Sequence, residues 1–241
     1  MNTRISILTI AVILTAFLVP GARATDVVIS ASKDNTLFED VTGSLSNGAG
    51  PTMFAGKTSN GPLRRALVAF NVSSVVPAGA TVTAASLKLN LAKTTAGDLS
   101  VALHKVSADW GEGTSNAGGP SGGGGGATAT AGDATWTTRF FGTESPWASD
   151  GGDFVALVSA SATVGSLSGD YTWTSSQLLT DIQGWLANPA TNFGWIVIGD
   201  ETTAGSTKSF YTKENGPSAA ILPRLEITYT APSSVADWNL F

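Results

Sequence analysis

The sequence predicts an all-β protein, a jelly-roll-like β-sandwich with one short amphipathic helix. Three observations carry this expectation. Short runs of apolar and polar residues alternate with period two, glycine, proline and asparagine punctuate them, and only one stretch has helical spacing.

Taken in order, residues 1–24 read as an address. Arg4 begins a charged n-region, an apolar run extends from Ile5 to Val19, Pro20-Gly21 breaks it, and Ala22-Arg23-Ala24 forms an A-x-A site. The run falls short of the roughly 20 residues of a membrane-spanning helix. A secretory signal peptide cleaved after Ala24 is therefore expected, with a secreted, extracellular product and no transmembrane segment afterwards. Residues 25–230 form the expected sandwich as a single domain, and 231–241 a C-terminal tail.

Within the sandwich, Leu63 to Val72 places Ala66, Val68, Phe70 and Val72 on one face and Arg65, Leu67, Ala69 and Asn71 on the other. Period two marks a strand, and the partly apolar second face marks it as central or covered. After the turn Val76-Pro77-Ala78-Gly79, the run Ala85 to Leu91 points Leu87, Leu89 and Leu91 inward and Ser86, Lys88 and Asn90 outward. Gly97-Asp98 turns into Leu99 to Val106, and Phe154 to Val158, Trp195 to Ile198, Lys208 to Thr212 and Leu225 to Tyr229 supply four more strands. From Ser175 to Leu186, Leu178, Leu179, Ile182, Trp185 and Leu186 recur at helical spacing behind serine caps and before Asn188-Pro189. This helix is expected across one end of the sandwich. Residues 111–133, with five glycines from Gly122 to Gly126, read as a flexible surface loop, because no strand–glycine–helix context or Lys-Ser/Thr pair makes them a phosphate cradle.

Composition narrows the chemistry. The 241 residues contain no cysteine and one histidine, His104, which excludes disulfides, thiolate metal sites, cysteine nucleophiles and multi-histidine centres. There are 13 basic and 18 acidic residues; loss of Arg4 and Arg23 with the signal leaves a net charge of −7. Such a chain has no basic footprint for nucleic acid. His104 lies mid-strand with no Gly-x-Ser-x-Gly elbow, so a serine triad is not expected. Paired carboxylates for glycoside hydrolysis are available in number, but spacing in sequence does not place any two across a bond.

Two kinds of binding candidate remain. Flat aromatic faces stack on sugars, and Trp110, Trp136 and Trp147 flank the glycine-rich and Asp/Gly-rich segments, whereas Trp173, Trp185 and Trp195 read as core. Carboxylates suit calcium, a hard cation of extracellular β modules, and the candidates are Asp34 with Glu39 and Asp40, and Asp200 with Glu201. Neither group follows the twelve-residue calcium loop, and solvated turn acids are the alternative. Structural calcium is the one cofactor anticipated.

Several segments taken together resemble a family. Asp34-Asn35-Thr36-Leu37, Asn47-Gly48, Arg64 to Ser73, Pro77 to Leu89, Ala108-Asp109-Trp110-Gly111-Glu112-Gly113-Thr114, Asn192-Phe193-Gly194-Trp195 and Pro223 to Tyr229 occur in the order and spacing of the bacterial DNRLRE domain. The resemblance covers about residues 26–230, departing at Asn71, where the family usually has aspartate, and in the glycine expansion after Glu112. It implies an exported, non-catalytic β-sandwich, in some relatives an alginate-binding carbohydrate module. Basic residues Arg64, Arg65, Lys208 and Lys213 would have to cluster to hold a polyanion, and Arg65 and Lys213 join the tryptophans as ligand candidates. The expected function is binding of extracellular polysaccharide or a cell-envelope component. The alternatives are a structural or adhesive surface protein and, further off, a polysaccharide lyase or hydrolase.

Overall fold

The computed structural model describes residues 23–118, 123–215 and 218–232. The signal-peptide expectation falls almost wholly outside them, as does the tail from 233 onward. Among the described residues the strands are β1 (Ala24–Ser30), β2 (Lys33–Phe38), β3 (Leu45–Ser46), β4 (Thr52–Lys57), β5 (Leu63–Ala69), β6 (Thr81–Thr94) and β7 (Leu99–Val106). They continue with β8 (Ala127–Thr128), β9 (Phe154–Val164), β10 (Gly169–Trp173), β11 (Trp195–Ile198), β12 (Lys208–Tyr211) and β13 (Arg224–Thr230), and α1 (Ser176–Ala187) lies between β10 and β11. No helix among them is long and apolar enough to cross a membrane.

Eleven of these strands form a curled antiparallel sheet in the order β1-β13-β6-β12-β4-β5-β11-β7-β9, with β10 also on β6 and β2 also on β5, and β3 pairs with β8 in a separate two-stranded sheet. The sheet turns over at β4, which pairs with β12 through Thr52–Ala55 and with β5 through Gly56 and Lys57. Gly56 has φ +119°, a backbone conformation open to glycine, so the strand changes partner where its sequence permits the bend. The result is a β-sandwich with two layers, one around β13 and β6 and one around β5, β11 and β7.

Alternation fills the space between the layers. Leu87, Leu89 and Leu91 from β6, Leu225 and Ile227 from β13, Ala66 and Val68 from β5, Leu103 from β7 and Trp195 from β11 are buried in one cluster. Each leucine withdrawn from water in this way contributes about 1.5–3 kcal/mol. Helix α1 closes one end of that cluster with Leu178, Ile182, Trp185 and Leu186, as its spacing predicts. Ser175 caps it by accepting from the Leu178 N–H at 2.9 Å. Its buried Asp181 accepts from Ser159, Gln177 and Trp195, so the carboxylate is satisfied inside the core.

A second apolar cluster lies on the outer side of the β5–β11 layer. Leu67, Ala69 and Ile196 meet Trp110, Ala134, Trp136 and Trp147 there. The last four come from the segment between β7 and β9, which corrects the expectation of a flexible surface loop at 111–133. In its described parts that segment is fastened: β8 pairs with β3, Ser115 and Asp133 are buried, and the Ala134 N–H donates to Gly111 O at 2.8 Å. Gly111 and Gly113 serve close approach here, and Gly126 closes a tight turn by donating its N–H to Gly123 O at 2.9 Å.

Candidate metal centre and ligand surface

The covering segment is held down by its tryptophans and by Arg65. Trp110 is 1% exposed, Trp136 8% and Trp147 4%. Trp110 donates its indole N–H to Phe193 O and Trp147 to Thr135 O, each at 2.8 Å. Arg65, projecting outward from β5, makes a bidentate pair with Glu201 at 2.7 and 3.0 Å, donates to Gly151 O at 2.9 Å, and lies 5.1 Å above the Trp136 ring. The three tryptophans therefore offer no face to a sugar. The sequence suggested exposure because they sit among glycines and polar residues, but the apolar outer face of β5 and β11 claims them. Arg65 is likewise spent on Glu201 and the cover, and Lys208 on the carbonyls of Ala96, Gly97 and Gly165 at 2.6–3.1 Å.

The acidic groupings expected for calcium also separate. Glu39 accepts from the Leu63 N–H at 2.6 Å. Asp40 accepts from the N–H and hydroxyl groups of Thr42 and Ser44, led by the Thr42 hydroxyl, which lowers its pKa to about 2. Asp200 is held below the usual carboxylate range by Thr202 and Thr203, and Glu201 belongs to Arg65. These are turn acids and an ion pair.

Asp34 has other neighbours. From β2 it meets Glu112 of the covering segment and Glu214, three residues beyond β12; one carboxylate oxygen from each lies within 4.8 Å of the others. Two glycines let Glu112 in. A Cβ on Gly48 would stand 1.6 Å from Glu112 O, and one on Gly113, at φ +72°, 1.6 Å from the Asp133 carboxylate. Asn35 fixes the approach by donating to Glu112 O at 2.9 Å. Asp34 is fully buried; its Oδ2 accepts from the Lys213 N–H at 2.9 Å, and its N–H donates to Glu112 Oε1 at 2.8 Å.

Lys213 reaches into the same group, its ammonium 3.1 Å from Glu112 Oε1 and closer still to Glu214 Oε1. This corrects Lys213 as a free ligand contact: its charge is committed. Burial, then the Glu214 charge, raise the Asp34 pKa well above the usual value. Burial also raises Glu112, against the lowering effect of the Asp34 N–H. For Lys213 burial acts downward, but the pairs with Glu214 and Glu112 outweigh it and the pKa rises. Asp34 Oδ1 and Glu214 Oε2 are buried without any hydrogen-bond partner. The triad is thus a set of oxygen donors, Asp34 fully buried and Glu112 and Glu214 partly so, that could hold a metal ion. Asp34 was legible as a candidate; Glu112 and Glu214 were not, and the available signal for Glu112 was its placement between two glycines directly after a tryptophan.

The opposite outer face is open. Along β1, β13, β6 and β10 the outward residues are mostly polar, with Val28 and Ala84 among them, and Lys88 pairs with Glu226 at 2.7 Å while Arg224 pairs with Asp170. A groove of about 330 Å³ runs over this face, bordered by Asp26, Val28, Ala84, Ser86, Glu226 and Thr228 among others. No protein-family model matches the chain, and no curated protein matches it.

Proposed function

We propose that the chain is an exported, non-catalytic β-sandwich module that binds a neutral extracellular polysaccharide on the open face of β1, β13, β6 and β10. The groove bordered by Val28, Ala84, Ser86 and Glu226 carries this reading, since it brings apolar and hydrogen-bonding side chains together on an uncovered sheet. A neutral polymer fits better than a polyuronate: Lys88 and Arg224 are paired on this face, and Arg65 and Lys213 are committed elsewhere. Export rests on the n-region, apolar run and A-x-A site of residues 1–24, and kinship with the DNRLRE domain on the order of the motifs. Non-catalytic action is supported by His104, whose Nδ1 lies 3.0 Å from Val155 O in a strand, and by the engagement of both groove carboxylates, Glu226 with Lys88 and Asp26 with the Thr228 hydroxyl. Within this reading calcium is a structural ion and not a bridge to ligand.

A glycan array probed with wild type and Ala84→Trp tests the groove. Binding to neutral polymers that disappears in the variant, with melting temperature unchanged, is expected. Binding that survives Ala84→Trp, a preference for polyuronates, or product release from any polymer sinks the reading.

One observation favours the structural or adhesive alternative. The edge strand β9 exposes Val155, Leu157 and Val158 in close succession, an apolar edge of the kind that accepts a strand from a protein partner. Loss of cell-surface attachment in Leu157→Lys, with glycan binding intact, would move the assignment there.

A further inference from the structure

We propose that Asp34, Glu112 and Glu214 form a divalent-cation site whose resident ion is calcium, with Lys213 as a built-in fourth charge that sets the valence. It deepens the structural-ion part of the proposed function and does not depend on the polysaccharide.

Charge makes the first argument. Three carboxylates and one ammonium leave two negative charges in a group that includes a fully buried aspartate. Buried charge without compensation is costly, and a divalent ion brings this set to neutrality where a monovalent one does not. Donor chemistry makes the second. Every available donor is oxygen, which suits calcium or magnesium and not a softer metal. Oxygens on one calcium stand about 2.3–2.6 Å from it, so a mutual separation within 4.8 Å is compatible with one shared ion.

Almost every buried polar atom in a folded protein finds a partner, yet Asp34 Oδ1 and Glu214 Oε2 have none, while the other oxygens of the same carboxylates are engaged by the Lys213 N–H and ammonium. These two oxygens, with the other oxygen of each carboxylate already engaged, are free to ligate a cation. The donors come from β2, the covering segment and the segment after β12, so the ion ties together parts of the chain 78 residues or more apart in sequence. Calcium is favoured over magnesium because carboxylates on three separate segments suit its flexible coordination better than a strict octahedron.

The test uses the purified protein after chelator treatment. Adding calcium in the millimolar range should raise the melting temperature by about 5 °C or more, with magnesium giving a smaller rise. Terbium, a calcium surrogate, should bind with one equivalent and be displaced by calcium. Asp34→Asn and Glu214→Gln keep shape and remove a charge; each should abolish the calcium-dependent rise and the terbium signal. Should one variant fail to fold, the other decides. No calcium-dependent shift in wild type, or a shift that both variants retain, overturns the site. Glycan binding that persists in the calcium-blind variants leaves the proposed function standing, so the two readings fail separately.

Discussion

The two outer faces of this sandwich have met the same problem in opposite ways. On the β13–β6 side β13 alternates, with Glu226 and Thr228 outward beside Ser86 and Lys88 of β6, and the face stands open with Lys88 and Glu226 paired. On the β5–β11 side the outward positions include Leu67, Ala69 and Ile196, and the chain between β7 and β9 folds over them with three tryptophans. An apolar second face on a strand therefore signals a cover elsewhere in the chain, and tryptophans in a glycine-rich segment can be that cover. Aromatic residues near polar loops indicated a ligand surface only until the face beneath them was known.

If this contrast is right, truncation should cost far more on one face than on the other. Trp110→Ala removes a buried indole and its bond to Phe193 O, and the expected loss is about 3–5 kcal/mol. Val28→Ala on the open face, where the residue is 64% exposed, should cost less than about 0.5 kcal/mol. Urea unfolding of both variants measures the gap. Similar losses on the two sides would break the comparison.

The glycines of the cover should be next in effect. Gly113→Ala places a Cβ 1.6 Å from the Asp133 carboxylate at a positive φ, so the segment must shift or Asp133 must leave its bonds to Thr130. A loss of roughly 2–3 kcal/mol is expected, together with increased tryptophan exposure in fluorescence quenching. A quenching profile identical to wild type would show that Gly113 does not position the cover.

Arginine separates the faces more finely. Arg65→Lys forfeits the bidentate pair with Glu201 and the stack on Trp136, for an expected cost of about 1–2 kcal/mol. Arg224→Lys on the open face alters a solvent-screened pair with Asp170, and about 0.5 kcal/mol or less is expected. The ratio of the two losses is the quantity to measure, and a ratio near one would mean that Arg65 does not clamp the cover.

The layers themselves were legible because β13, the Leu87–Leu91 part of β6 and the Leu99–Leu103 part of β7 alternate, β5 and β11 are short apolar-rich runs, and α1 carries its own cap and stop. Strands β2 and β4 were not. Lys-Asp-Asn-Thr-Leu-Phe reads as a polar turn, yet its Asp34, Asn35 and Thr36 are fully buried and held by partners distant in sequence, among them Glu112 O and the Lys213 N–H. Thr-Met-Phe-Ala-Gly-Lys shows no period because it belongs to both layers. The same long-range partners made the acidic site unreadable: Asp34 stands beside Asp40 in sequence but beside Glu112 and Glu214 in space. Alternation is a local signal that reports which faces are buried. It carries no record of which distant segment will bury them.

The smallest expected effect concerns pH, and it has opposite sign at the two places. On the open face Glu226 is held below the usual carboxylate range, first by Lys88 and also by Ser86 and Arg224. A depressed carboxylate adds stability that is present above its unfolded pKa and is lost as pH falls through the lower folded value. Glu226→Gln should therefore narrow the difference in stability between neutral and acid conditions, modestly, because the pair is partly exposed. At the root of the cover Asp34, facing Glu112, Glu214 and Lys213, is raised by burial, so in chelator its contribution is present below the ordinary aspartate range and is lost as pH rises through the higher folded value. Asp34→Asn should flatten the decline on that side and leave the acid limb to Glu226. Melting temperatures across pH, taken in chelator for wild type and both variants, separate the two limbs. Both variants changing the same limb would show that the open face and the covered cluster do not differ in the way their carboxylates are held.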